Sequence, residues 1–502
     1  MLNVLSNRFR PRTQVAKSGS YDIIIPMNIT EFAFFRFVAV VFIIYYIIPK
    51  RFQWILLLLS GGYFYYFCGI KACLLLGGAI LLTWGAGMAL ERIKHKGLLL
   101  SAVCGLFLIW LTLMRLPFKT VIIPAGLSFF GLQCIGYCVE VYRGTTAAQR
   151  NPAKYALYIS FFPHILQGPF ADYNALKDQF EKPHVFDYDR SVSAIMRIAY
   201  GLMKKLVIAD HLNKVLSEPF STGEGYFGAT VLLIIILYAI QLYTDFSGYM
   251  DIALGVAQLF DIELIENFDV PYASKSMAEF WRRWHRSLGL YFRSYIFFPI
   301  LRSRPCMAIQ KYFKKKKNKY LMKVLPLCIA LIVNWTLIGI WHGLKPTYMI
   351  YDWFCGAVII LSELLKPVYD KINNSAPRFF KSRFMEAFRI IRTFLLVAFS
   401  FIFFRAAGLD ICAAMIRNLF AAPGVWEAAQ FIYVNILDLF LLIIPVIVVC
   451  IVDVCRYRGI DIRSRLHSLP APLRWSLYVC GILLIYISRA QQGGVDFAYA
   501  VF

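Results

Sequence analysis

Eleven apolar runs, most of them near twenty residues long, constrain this chain more than any other feature. They lie at about 33–48, 53–70, 72–90, 98–114, 121–141, 229–243, 321–341, 348–365, 393–404, 432–452 and 474–488. A helix needs about 20 residues to cross the hydrocarbon core of a bilayer. Inside that core every backbone polar group must be satisfied by the chain itself, which leaves helices as the solution for runs of this length. The reading is an all-α polytopic membrane protein with about 11 transmembrane helices. Shorter mixed stretches at about 155–170, 193–209 and 287–301 are expected as tilted, re-entrant or interfacial pieces. Composition agrees: 59% of the residues are hydrophobic and only 16% charged, and mean hydropathy is +0.61. Soluble, disordered and small disulfide-rich classes are excluded. No internal repeat is visible, which argues against the transporters built from inverted repeats.

The net charge of +24 would suggest nucleic-acid binding in a soluble chain. Here Lys and Arg gather in short loops between apolar runs, the pattern of cytoplasmic loops, so no nucleic-acid partner is expected. Lys50–Arg51, the stretch 91–96, Arg143 and Arg150 are placed in the cytoplasm. That count sets the chain before residue 33 outside, where Arg8, Arg10, Arg12 and Lys17 break the rule. Either the first helix is oriented otherwise or Met27 is the natural start. Residues 311–323 hold seven lysines, a surface for anionic lipid headgroups or for an acidic or nucleotide partner. The twelve cysteines include no CxxC pair, so neither a metal site nor a disulfide framework is indicated.

Two groups of residues carry chemistry. His342 ends the run Cys328–Trp341 and is followed by Gly343, whose small size is expected to give access to the imidazole. An ionisable group within a membrane is costly and functional by default, and imidazole exchanges a proton near neutrality. A headgroup-level helix end is the alternative. Asn334, two helical turns earlier, falls on nearly the same face. The second group is Glu279-Phe-Trp-Arg-Arg-Trp-His-Arg-Ser-Leu288. Its Arg282, Arg283, Arg286 and His285 alternate with Trp281 and Trp284, suited to gripping a phosphate-bearing donor or to lying in the interface as an amphipathic helix. Asp245 and Asp251 upstream are expected to pair with these arginines. His95, His184, His211 and His467 read as unremarkable, and His164, in a Pro-bracketed turn, as a hydrogen-bonding structural residue.

Gln241-Leu-Tyr-x-Asp-Phe-Ser-Gly-Tyr249, Glu266-Asn-Phe-x-x-Pro-Tyr272, the 279–288 segment and Gly339-Ile-Trp-His-Gly343 closely resemble the membrane-bound O-acyltransferase family, best its alginate O-acetyltransferase branch. Ile123-Pro-x-Gly-x-Ser-Phe129, Phe162-Pro-His-Ile-x-x-Gly-Pro169 and Lys204-Lys-x-x-Ile-Ala-Asp210 support it. The resemblance covers about 27–410. Around it the chain divides into a polar basic extension (1–26), further transmembrane helices (411–488) and an extracytoplasmic tail (489–502).

The resemblance implies helices surrounding a transmembrane tunnel, with His342 and Trp341 in the family's catalytic motif and His285 as its second motif histidine. It implies an acyltransferase of the cytoplasmic membrane that moves an acetyl group from a cytoplasmic thioester, acetyl-CoA, toward a cell-envelope polysaccharide. No bound cofactor is implied. Membrane lipids and an extracytoplasmic SGNH-type or esterase-like transferase are the implied partners. The terminal Phe497-Ala-Tyr-Ala-Val-Phe502 is similar to a motif of related acetyltransferases and of a teichoic-acid D-alanylation peptide, which makes Tyr499 a candidate acyl carrier. An aromatic anchor at headgroup level is its plainer reading. D-alanyl transfer to teichoic acid is the alternative within the family, and a proton-coupled transporter or flippase using His342, Asp245 and Asp251 the alternative outside it.

Overall fold

The computed structural model describes residues 15–18, 21–24, 27–113, 124–223 and 225–488. The described chain is helical apart from one antiparallel hairpin, Val15–Ser18 with Tyr21–Ile24. Seven of its helices are long and apolar enough to cross a membrane: Ile70–Arg92, Lys96–Leu113, Gly228–Leu259, Lys319–His342, Pro346–Leu364, Arg383–Arg405 and Ile436–Tyr457. Phe32–Ile47 and Ala471–Ile487 are shorter apolar helices. Among the described residues the expected count of about 11 is not confirmed. Runs 53–70 and 121–141 supply the shorter helices Gln53–Tyr66 and Leu127–Arg143, of 14 and 17 residues.

The chain forms two compact units. The first comprises described residues up to Ile198 together with Tyr249–Ile265. Its centre is the helix Leu127–Arg143, of which 14 of 17 residues are buried. A helix enclosed on nearly every side needs partners for its polar groups, and the surrounding tyrosines supply them. Tyr137 accepts the Gln149 amide at 2.9 Å and packs 4.5 Å from the Tyr155 ring, whose hydroxyl meets Thr83 at 2.8 Å. His164 donates from Nε2 to the Tyr158 carbonyl at 3.0 Å, in the structural role expected of it. His184 is not the plain linker residue its neighbours suggested. It is 5% exposed, with Asp261 Oδ2 2.9 Å from Nδ1 and the Gln179 carbonyl 2.7 Å from Nε2.

The second unit comprises Ala199–Gly248 and the described residues from Glu266 onward. Burial separates its helices by environment. The apolar window of Gly228–Leu259 is 67% buried, whereas that of Ile436–Tyr457 is 17% buried, so the latter turns most of its Leu, Ile and Val side chains to lipid. The mixed stretches do form interrupted helices. Tyr188–Leu202 runs into a π-helical turn at Met203–Ala209, and Arg286–Phe292 into another at Arg293–Phe297. Such turns widen the helix by one residue and recur at functional sites.

Candidate active site

The two motif histidines lie in the second unit, on a helical hairpin and a broken helix. Lys319–His342 begins under an Asn318 cap and ends at His342, where Gly343 turns the chain with φ 148°. Lys345 then precedes Pro346, which opens the return helix Pro346–Leu364. Gly343, expected to give access to the imidazole, makes room for a neighbouring ring. A Cβ there would meet the Tyr348 ring at 2.9 Å, so its small size seats that ring.

The broken helix is built around one asparagine. Ser276 Oγ caps Met277–Arg283 by accepting the Glu279 amide at 3.2 Å, and Glu279 in turn accepts the amide of Lys275, the residue before the cap, at 2.9 Å. The helix stops at Trp284, which is extended (φ −97°, ψ 128°). His285 then adopts left-handed backbone (φ 47°, ψ 53°) before Arg286–Phe292 starts. Asn267 clamps this break: its carbonyl accepts the Arg286 amide at 3.0 Å, and its Oδ1 accepts the Ser287 amide at 2.9 Å. The same Oδ1 lies 3.4 Å from His285 Nδ1. Asn267 belongs to the Glu266-Asn-Phe motif, so two separate sequence motifs converge here.

The two motif histidines share one cluster. His285 and His342 are each 2% exposed, and the Trp341 ring stands beside both, with centroids 6.2 Å from His285 and 5.1 Å from His342. Phe404 meets the His342 ring edge-on at 5.7 Å. His342 Nδ1 is 2.7 Å from Asp352 Oδ2, and Asp352 is 0% exposed. Sequence reasoning missed Asp352. The signal was present: it is a carboxylate inside the apolar run 348–365, and the rule that singled out His342 applies to it equally.

The remaining candidates divide. Arg282 is exposed, Arg286 half-buried, and Arg283 is tied to Glu279 at 3.0 Å and to the Asp269 carbonyl at 3.3 Å. Trp284 does not belong with a donor-facing lip. It is 0% exposed and packs against Phe268 and Phe280 at 5.0 and 5.3 Å, because the kink turns it inward. Asn334 is half-buried on the His342 helix, and its Oδ1 has no hydrogen-bond partner among the described residues.

Asp245 and Asp251 each take a basic partner from the 188–209 stretch rather than from the arginine motif. Lys205 Nζ lies 2.8 Å from Asp245 and 3.0 Å from Asp210. Burial alone would depress the Lys205 ammonium, but the two carboxylates outweigh it and hold it above its ordinary range. Arg197 Nε reaches Asp251 at 3.0 Å within the first unit. Both carboxylates sit on Gly228–Leu259 and were matched by charge alone in the sequence. Tyr499 lies outside the described residues, as do Phe497 and Phe502 and the basic residues Arg8, Arg10 and Arg12.

The model of the membrane-bound O-acyltransferase family matches residues 146–405, a stretch that holds His285, His342 and Asp352. A probable alginate O-acetylase of Pseudomonas aeruginosa is 31% identical over 324 residues, 64% of this chain and 55% of that protein. A peptidoglycan O-acetyltransferase of Helicobacter pylori is 26% identical over 61% of this chain and 58% of its own length. A teichoic acid D-alanyltransferase of Bacillus subtilis is 28% identical over 56% of this chain and 68% of its own length. The chain thus spans little more than half the length of its alginate O-acetylase relatives.

Proposed function

The chain belongs to the membrane-bound O-acyltransferase family, and from that premise we propose that it carries an acetyl group from a cytoplasmic thioester, acetyl-CoA, to O-acetylate a polysaccharide of the cell envelope. The observation that carries this reading is the buried pair of histidines beside Trp341, one of them on a carboxylate. His342 is the general base. It takes the proton of the attacking hydroxyl as oxygen bonds to the thioester carbonyl carbon, the carbon–sulfur bond breaks, and the proton passes to the departing thiolate. A base so placed contributes about 10²–10⁴-fold. His285 holds the donor side of the reacting centre or assists the base directly. Arg282 and Arg286, with Arg283 behind them, face the donor's phosphates.

Tyr499 is the acceptor of the acetyl group in this scheme. It hands the group to an extracytoplasmic SGNH-type or esterase-like transferase, with the chain seated in the cytoplasmic membrane among its lipids. Tyr499→Phe deletes the nucleophile while keeping the ring, so glycan acetylation falls to background while thioester hydrolysis persists. Normal glycan acetylation by that variant would remove Tyr499 from the scheme. D-alanyl transfer to teichoic acid is a second reading, favoured by the 68% coverage of the Bacillus subtilis D-alanyltransferase.

The deciding experiment is thiol release by the purified protein offered acetyl-CoA or a D-alanyl carrier thioester. Acetyl-CoA is expected to be turned over and the D-alanyl thioester left intact. Absence of free thiol from both, with the protein folded, sinks the acyltransferase reading in favour of a transporter.

A further inference from the structure

We infer that Asp352 is the positioning residue for His342: it holds Nδ1–H, leaving the imidazole lone pair on Nε2, and Gly339 and Gly356 set the helix spacing that brings it there. The inference rests on the acyl-transfer reading and concerns the same site.

The geometry begins with the hairpin. His342 is the last residue of Lys319–His342, and Asp352 lies two turns into Pro346–Leu364. Side chains this short meet only if the two helices approach closely. Gly339 and Gly356 permit it. A Cβ on Gly339 would stand 2.9 Å from Met349 Sδ and 3.4 Å from Asp352 Cβ. A Cβ on Gly356 would stand 2.7 Å from Trp335 Cγ, and an indole has no room to yield there. The result is the 2.7 Å contact between Nδ1 and Oδ2.

Chemistry fixes its direction. A carboxylate oxygen accepts, so Nδ1 carries the proton and the neutral ring presents its lone pair at Nε2. Asp352 Oδ1 has no hydrogen-bond partner among the described residues, which makes the carboxylate a poor structural tie and a direct counter-charge to the imidazole. Burying such a group is costly. The cost is offset when Nε2 takes a proton, because the imidazolium then forms beside a fixed negative charge.

The test uses the full-length purified chain and acetyl-CoA turnover, with His342→Ala as reference. Asp352→Asn is expected to lower kcat about 10²-fold with KM for acetyl-CoA within about twofold. The acid limb of its pH profile should move to lower pH, because an imidazolium without its counter-charge deprotonates more readily. In ¹⁵N-histidine spectra, the Nδ1–H signal that disappears in His342→Ala should also disappear in Asp352→Asn. Gly356→Ala keeps the carboxylate but spreads the helices, and should lose about tenfold in kcat.

A folded Asp352→Asn with parental kcat, parental acid limb and an intact Nδ1–H signal overturns the inference while an inactive His342→Ala leaves the acyl-transfer reading standing. Parental turnover by His342→Ala overturns that reading and the inference with it. If Asp352→Asn does not fold, Asp352→Glu decides. With the charge kept on a longer arm it should keep the acid limb and lose about tenfold in kcat, and parental kcat with the Nδ1–H signal gone overturns the inference.

Discussion

His342 and His285 stand beside one tryptophan ring and are equally buried, yet their surroundings have little else in common. His342 closes a continuous 24-residue helix and faces a carboxylate. His285 occupies a left-handed position between two seven-residue helices and faces an amide oxygen that also accepts the Ser287 amide. A carboxylate gives an imidazolium a full counter-charge, whereas an amide oxygen offers only a dipole. The pair teaches that burial alone does not mark a base. In the proposed mechanism the partner separates the two, a carboxylate for the histidine that takes up a proton and an amide for the one that holds geometry.

The sharpest way to break that contrast is to replace each histidine by glutamine. His342→Gln should lower acyl transfer by about 10²–10⁴-fold, and His285→Gln by about tenfold or less, in initial rates of thiol release from protein of equal folded content. Equal losses would place both rings in the proton path.

Next in size is the clamp beneath His285. Asn267→Ala strips the acceptor from the buried Ser287 amide, and a buried donor without a partner costs about 1–3 kcal/mol. The melting temperature in detergent should drop while the activity per folded molecule falls only modestly. An unchanged melting temperature would show that the kink is held by packing alone, Trp284 being the obvious anchor.

The arginines proposed to face the donor offer a smaller effect. Arg282→Gln should raise KM for acetyl-CoA several-fold with kcat retained, the pattern of lost uniform binding. Arg283→Gln should instead lower stability, since Arg283 is engaged with Glu279 and the Asp269 carbonyl. The reverse assignment would move the donor contact one residue along the helix.

The smallest effect is a pH dependence. Burial first, and the neighbouring His342 imidazole second, push the His285 pKa well below its usual value. The folded protein therefore keeps His285 neutral, while the unfolded chain binds a proton there below about pH 6.5. Stability from this group is complete above that pH and is lost as pH falls through it. His285→Asn, which tolerates left-handed backbone, should thus lose less melting temperature between about pH 7.5 and about pH 5 than the parent. Parallel losses in the two proteins would show that His285 accepts its proton without cost, erasing the distinction from His342.

Much of the second unit was legible in advance. His342 announced itself as an imidazole at the end of an apolar run, and the interrupted helices at 193–209 and 287–301 followed from mixed polarity. Trp284 could not be assigned the same way. In 279–288 it alternates with arginines as an exposed aromatic would, and only the extended backbone at the kink turns it into the core. Asp245 and Asp251 show the same limit, because charge complementarity is satisfied by any nearby cation and the choice of Lys205 and Arg197 depends on which helix packs alongside.

What the amino-acid order determined by itself was the class of solvent and the repertoire of segments. Apolar run length is a local property, and the bilayer's demand for satisfied backbone groups acts on each run separately. The two histidine motifs were likewise local, readable as strings of residues. What only the tertiary structure decided was partnership: Asp352 with His342, Asn267 with the His285 kink, and two glycines against Trp335 and Met349. These pairs join positions 10 to 21 residues apart through helix spacing and orientation. That spacing is set by side-chain volume at contacts that neither partner's own sequence context specifies.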